Sequence, residues 1–180
     1  MSYKPGFFRG AIIAFVLFFA CAMQASAQSW TSLTQDQRNQ AIITNGLALL
    51  GTTGLNCKDF SRVVVQNASN AAGGPQRNIP ATQPDPYDFM WYPDPYAIGQ
   101  STTMQMAPLG WIIQMRLRSS TQPYYVIPHT AILYSRDANG FTFLDSNWYN
   151  DNTVRLHYMT YAQFDGKLWG AGQFSGYYIQ

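Results

Sequence analysis

Glutamate is absent from this chain, and all 9 of its acidic residues are aspartate. A hydrolase built on two carboxylates would have to work with aspartate alone, which counts against the glycosidase class. Charge of either sign is scarce, at 11% of residues. Without a basic run or patch, the electrostatic footprint of a nucleic-acid binder is missing. Past residue 27 no apolar stretch is long enough to cross a bilayer. Cysteine and histidine are rarer still, with two of each: Cys21 and Cys57, His129 and His157.

The first 27 residues account for one cysteine. Lys4 and Arg9 precede an apolar run from Ala11 to Met23, followed by Ala25-Ser26-Ala27. That order is the pattern of a secretory signal peptide cleaved after Ala27, and Cys21 leaves with it. A lipoprotein reading of Phe18-Phe19-Ala20-Cys21 is weaker, because Phe18 stands where a leucine is usual. Cleavage brings basic and acidic residues level and leaves 28–180, enough for one domain with its own core. The mature chain is expected to be secreted or periplasmic, monomeric, and free of stable membrane association.

Cys57 is then the only thiol in an oxidising compartment, with no internal partner for a disulfide. It lies in Gly54-Leu55-Asn56-Cys57-Lys58-Asp59-Phe60. Asn56 is a good helix N-cap, and Phe60, Val64, Val65 and Ala68 follow at helical spacing, so Cys57 opens a helix. Backbone N–H groups and the positive end of the helix dipole favour a thiolate there. Cys57 is therefore the candidate nucleophile, beside the plainer reading of a buried or idle thiol.

The remaining elements are read from apolar spacing and turn residues. Ser32 to Leu50 forms an amphipathic helix ended by Gly51. Residues 71–108 are rich in Pro, Gly, Tyr and Asp and read as an ordered surface loop; its rings Tyr87, Phe89, Trp91, Tyr92 and Tyr96 suit a binding element or a cover for the core. Strands are expected over Trp111–Leu117, Tyr124–Ser135, Phe141–Trp148 and Thr153–Met159, with a helical turn from Tyr161 and a last strand in 170–180. Asp137-Ala138-Asn139-Gly140 supplies the hairpin turn, with Gly140 suited to a left-handed conformation.

His129 heads the strand Pro128-His129-Thr130-Ala131-Ile132-Leu133, and Phe143-Leu144-Asp145-Ser146-Asn147-Trp148 runs back across the hairpin. Asp145 and Asn147, two apart, share a face. A three-residue hairpin loop pairs Ala131 with Asn147, and a five-residue loop sets His129 opposite Asn147 and diagonal to Asp145. A four-residue loop would turn both polar residues to the wrong face. In either favourable register Asn147 is the nearer to His129, although a carboxylate would stabilise an imidazolium better. His157 lies beyond this hairpin, without a local orienting group. Cys57, His129 and Asp145 or Asn147 together suit nucleophilic acyl transfer, as nucleophile, proton carrier and orienting group. The Cys57 N–H is a candidate oxyanion donor.

A helix-opening cysteine, then Pro-His-Thr-Ala-Ile-Leu, then Asp-Ser-Asn-Trp, resembles the CHAP family of cysteine amidases and peptidases, in the papain-like, NlpC-type group. The likeness runs from about Asn56 to Met159. It implies an α+β fold, two N-terminal helices on an antiparallel sheet of four to six strands, with Cys57, His129, Asp145 and Asn147 at the catalytic positions. It also implies cleavage of peptidoglycan, as an N-acetylmuramoyl-L-alanine amidase or a crosslink endopeptidase. Some members bind calcium through aspartates before the cysteine; residues 51–56 hold no carboxylate, so no metal and no cofactor is expected. Trp111, in Pro108-Leu109-Gly110-Trp111, stands where the family carries aspartate. A cysteine protease or transglutaminase-like enzyme on a protein or small amide, and a non-catalytic binding module of the same fold, remain alternatives.

Overall fold

A computed structural model of the chain describes residues 29–73, 76, 77, 79, 97–100, 103–122, 126–170 and 174–180. The stretch expected to be a signal peptide and the rings at 87–96 lie outside them.

A short turn at Trp30–Ser32 leads into α1, Gln35–Leu47. Thr34 starts α1 with a reciprocal cap, its hydroxyl taking the Gln37 N–H and the Gln37 side chain taking its own N–H. Gly51 follows at φ 79°, a conformation open to glycine at little cost. Helix α2, Cys57–Ala71, buries Phe60, Val64, Val65 and Ala68, the residues whose spacing defines it. Each of the larger side chains contributes about 1.5–3 kcal/mol on leaving water.

Among the described residues there are six strands: β1 (Ala97–Gln100), β2 (Ile112–Arg118), β3 (Val126–Arg136), β4 (Gly140–Ser146), β5 (Val154–Thr160) and, after helix α3 (Tyr161–Lys167), β6 (Phe174–Ile179). They form one antiparallel sheet in the order β1-β6-β2-β3-β4-β5. This is the expected α+β architecture, with two corrections of detail. Residues 97–100, inside the stretch read as loop, pair with β6 as an edge strand. Gly140 does not have positive φ. A Cβ there would fall 2.3 Å from the Met159 carbonyl oxygen and 2.9 Å from Thr160 Cα, so glycine is needed for strand approach.

Gly140→Ala is therefore expected to lower stability by about 1–3 kcal/mol, the usual cost of forcing extra volume into a packed site. Thermal unfolding should register it as a drop of several degrees. An unchanged midpoint would mean that β4 and β5 can separate there freely.

Both faces of the sheet are covered. Helices α1 and α2 pack Ile42, Phe60, Val64 and Val65 on Ile112, Ile132, Leu144 and Val154. Phe164 of α3 packs on the other face among Ile113, Met115, Leu133 and Phe143. Among the described residues no helix is long and apolar enough to cross a membrane.

Candidate active site

Helix α2 fixes Cys57 at its first residue. The Asn56 carboxamide oxygen accepts the N–H groups of Lys58 and Asp59, at 3.0 and 2.9 Å. The approach to Asn56 is sewn to the start of β5: Thr53 bridges Thr153, and the Gly54 N–H reaches the Asn152 carbonyl. Gly54 allows this at φ 92°. The buried Ser146 hydroxyl, at the end of β4, donates to the Leu55 carbonyl. The thiol is thus tied to the end of the strand that carries Asp145.

The hairpin of β3 and β4 brings the polar residues to the histidine's face by an irregularity. At the turn Arg136 pairs with Phe141, leaving the four residues 137–140 as the loop. Continued unchanged, that register would have sent Asp145 to the wrong face. The pairing shifts by one residue between Leu133 and Ser135, after which Leu133 faces Phe143 and Ala131 faces Asp145. One extra residue in β3 restores the parity that a five-residue loop would have supplied. His129 then lies diagonal to Asp145 on the face of Ala131 and Leu133. Its Nε2 is 3.1 Å from Asp145 Oδ2, and both side chains are buried.

Strand β4 pairs with β3 only as far as Asp145 and ends at Ser146, so β3 runs on uncovered from 126 to 130. Cys57 occupies that gap. Its sulfur interacts with the His129 side chain and with the backbone N–H groups of Thr130 and Lys58. Because Nε2 is held by Asp145, Nδ1 is the ring nitrogen left for the thiol.

Asn147 has a different occupation. It leaves the ladder at φ 67°, and its Oδ1 accepts the Asn152 N–H at 3.0 Å, closing the turn into β5. The register that sets Asn147 opposite His129 ends before it reaches Asn147. The order of distances expected from an unbroken ladder is therefore reversed, and Asp145 is the residue bonded to the imidazole.

His157 is the residue whose place was misjudged from sequence. It pairs with Phe143 across β4 and β5, on the same face as Asp145, and its Nδ1 lies 3.8 Å from Asp145 Oδ2. The indole of Trp148 makes a T-shaped contact with each histidine, with ring centroids 4.9 Å from His129 and 4.1 Å from His157. No pattern within 153–159 signals this approach. It follows from the β4–β5 register, which decides what lies beside Asp145.

The charges are mutually dependent. Burial pushes the Cys57 thiol up, but hydrogen bonding and positive charge from His129, with the two backbone N–H groups, outweigh it, and the net direction is down. Burial lowers His129, and its bonds to Asp145 and Cys57 overcome that, raising it to about 9. For Asp145 too burial is the largest influence and pushes it up, whereas His129 and His157 hold it below its ordinary value. Lys58 falls to about 7, through burial first and Arg62 second. At neutral pH it is only partly charged, and His129 is the side chain that most lowers the Cys57 thiol. Among the described residues no group of three or more His, Cys, Asp or Glu side chains is arranged to hold a metal ion.

A cysteine that opens a helix, beside a buried histidine hydrogen-bonded to a buried aspartate, sits on an antiparallel sheet in an α+β fold. Its fold is shared with solved structures of Ly7917. The structure described as "The crystal structure of Ly7917 with the hydrolyzing product of MDP" matches with a TM-score of 0.51 at 14% identity. The structure "The crystal structure of Ly7917" matches with a TM-score of 0.50, also at 14% identity. In both, the match covers 78% of this chain and 62% of Ly7917, so the chain spans less than two thirds of that protein. No protein-family model matches the chain, and no curated protein does.

Proposed function

We propose that this protein is an exported, CHAP-like cysteine hydrolase that cleaves an amide bond of peptidoglycan, as an N-acetylmuramoyl-L-alanine amidase or a crosslink endopeptidase. The observation that carries the reading is the line of contacts from Cys57 to the buried His129 and on to the buried Asp145, 3.1 Å from its Nε2, with the Cys57 thiol lowered by the histidine. The fold it shares with Ly7917, a protein crystallised with the hydrolyzing product of MDP, supports the choice of substrate.

The Cys57 thiolate attacks the amide carbonyl carbon, and the carbonyl electrons move to oxygen. The Cys57 N–H, which Asn56 does not take, stands at the start of α2 to bind that oxyanion, together with the helix dipole. The proton on His129 Nδ1 passes to the leaving nitrogen, the C–N bond breaks, and a thioester remains. His129, now neutral, takes a proton from water as the water attacks the thioester. Collapse of the second oxyanion expels the thiolate and releases a carboxylic acid. Asp145 holds the imidazole by Nε2 throughout and stays ionised.

Mass spectrometry of muropeptides after incubation of purified peptidoglycan with the mature protein tests the reading. New products with the mass of a hydrolysed amide, absent with Cys57→Ala, are expected, and their identity assigns the bond. Unchanged muropeptides beside a cleaved protein or small amide would move the substrate elsewhere. No turnover of any amide by a folded protein would make this a binding module.

A further inference from the structure

A pocket of about 200 Å³ opens beside His129. Cys57 does not line it. Its walls include Leu117 and Ile127 from β2 and β3, and Trp148 after β4, while Arg118 and Lys167 bring two cations to it. Among the described residues no acidic side chain lines it. The Arg118 Nε donates to the Leu168 carbonyl at 2.7 Å, which anchors the guanidinium and leaves its terminal nitrogens for another acceptor. The Lys167 ammonium sits 5.8 Å from the centre of the Trp148 ring. Both side chains are exposed, and among the described residues neither is paired with a carboxylate.

Position assigns the pocket to one half of the substrate. The acyl carbon must lie at the Cys57 sulfur, and the leaving nitrogen must lie where His129 can give it a proton. A pocket walled by His129 and not by Cys57 therefore receives the amine-side product. We propose that this is the leaving-group site, and that it takes an amine-side residue carrying a carboxylate, bound by Arg118 and Lys167 over the Trp148 ring. The proposal rests on the hydrolase reading above. It narrows the substrate to amides whose departing amine belongs to an amino acid or peptide with a free carboxylate close to the nitrogen. The two cations on apolar walls select against a neutral leaving group.

Two alkylating probes test the site without requiring turnover: N-iodoacetyl-β-alanine and its primary amide. In each, the Cys57 sulfur displaces iodide at the methylene carbon, so a C–S bond forms as C–I breaks. The amide nitrogen and the group beyond it then point along the leaving-group side. The second-order rate constant of the acid probe should exceed that of the amide probe by about tenfold or more at low ionic strength, as expected of charge-assisted contacts. The ratio should fall toward one in Lys167→Gln with Arg118→Gln, and toward one in the native protein at high salt. The amide probe is the reference within each protein, so loss of folding would abolish both reactions and not mimic a changed ratio; Lys167→Gln alone, at an exposed position, should lower the ratio without disturbing the Arg118 anchor. Equal rates for the two probes in the native protein, or a preference that survives both substitutions, would overturn the proposal. Either result would leave the muropeptide experiment unaffected, so failure of the pocket and failure of the hydrolase reading are told apart.

Discussion

His129→Ala is expected to cut kcat/KM for amide hydrolysis by on the order of 10²–10⁴, the usual worth of a positioned general acid and base. Two functions are lost with one side chain. The leaving nitrogen has no proton donor, and the thiol, still partly buried, loses the charge and hydrogen bond that hold it below its ordinary value. His157→Ala should cost less, because His157 approaches Asp145 at 3.8 Å and acts on the imidazole only through that carboxylate. Steady-state kinetics of both variants, beside their unfolding midpoints, separate the roles. A larger loss in a folded His157→Ala protein would reverse the assignment.

Asp145→Asn should have the next largest effect. The 3.1 Å bond from His129 Nε2 to Oδ2 is charge-assisted and buried, a class worth about 1.5–3 kcal/mol, which corresponds to roughly 10- to 100-fold in rate. The pH dependence carries a clearer signature. His129 must keep its proton, so native activity should fall as pH rises through about 9. Asp145 raises His129 by both hydrogen bonding and charge, and removing the charge must move the alkaline limb to lower pH. The acid limb reports thiolate formation and lies below the ordinary cysteine value. Asn147→Ala removes the cap on Asn152 N–H and puts alanine at a positive φ. Its expected cost is about 1–2 kcal/mol of stability with the alkaline limb in place. A silent Asp145→Asn beside a slow Asn147→Ala would transfer the orienting role to Asn147.

What sequence could and could not reveal divides along one physical line. Local signals survived folding. Asn56 caps α2 because its side chain competes well for the first N–H groups, and the spacing of Phe60, Val64, Val65 and Ala68 fixes which face of α2 is buried. Non-local register did not survive as read. Whether Asp145 meets His129 depends on one extra residue between Leu133 and Ser135, which no propensity in Tyr134 announces. The departure of Asn147 from the ladder, and the arrival of His157 at Asp145, are decided by how β4 ends and how β5 pairs. Gly140 shows the same limit. Its need for glycine was legible, but the cause is the Met159 carbonyl of a neighbouring strand and not its own φ.

The central claim is that Cys57 is held as a thiolate by His129. The rate of iodoacetamide alkylation against pH, in the native protein and in His129→Ala, tests it most directly. The native midpoint should lie below the free-cysteine value of about 8.5, and in His129→Ala it should rise past that value, because burial remains while the imidazolium is gone. A native midpoint at or above about 8.5, or one that His129→Ala leaves in place, would contradict the account.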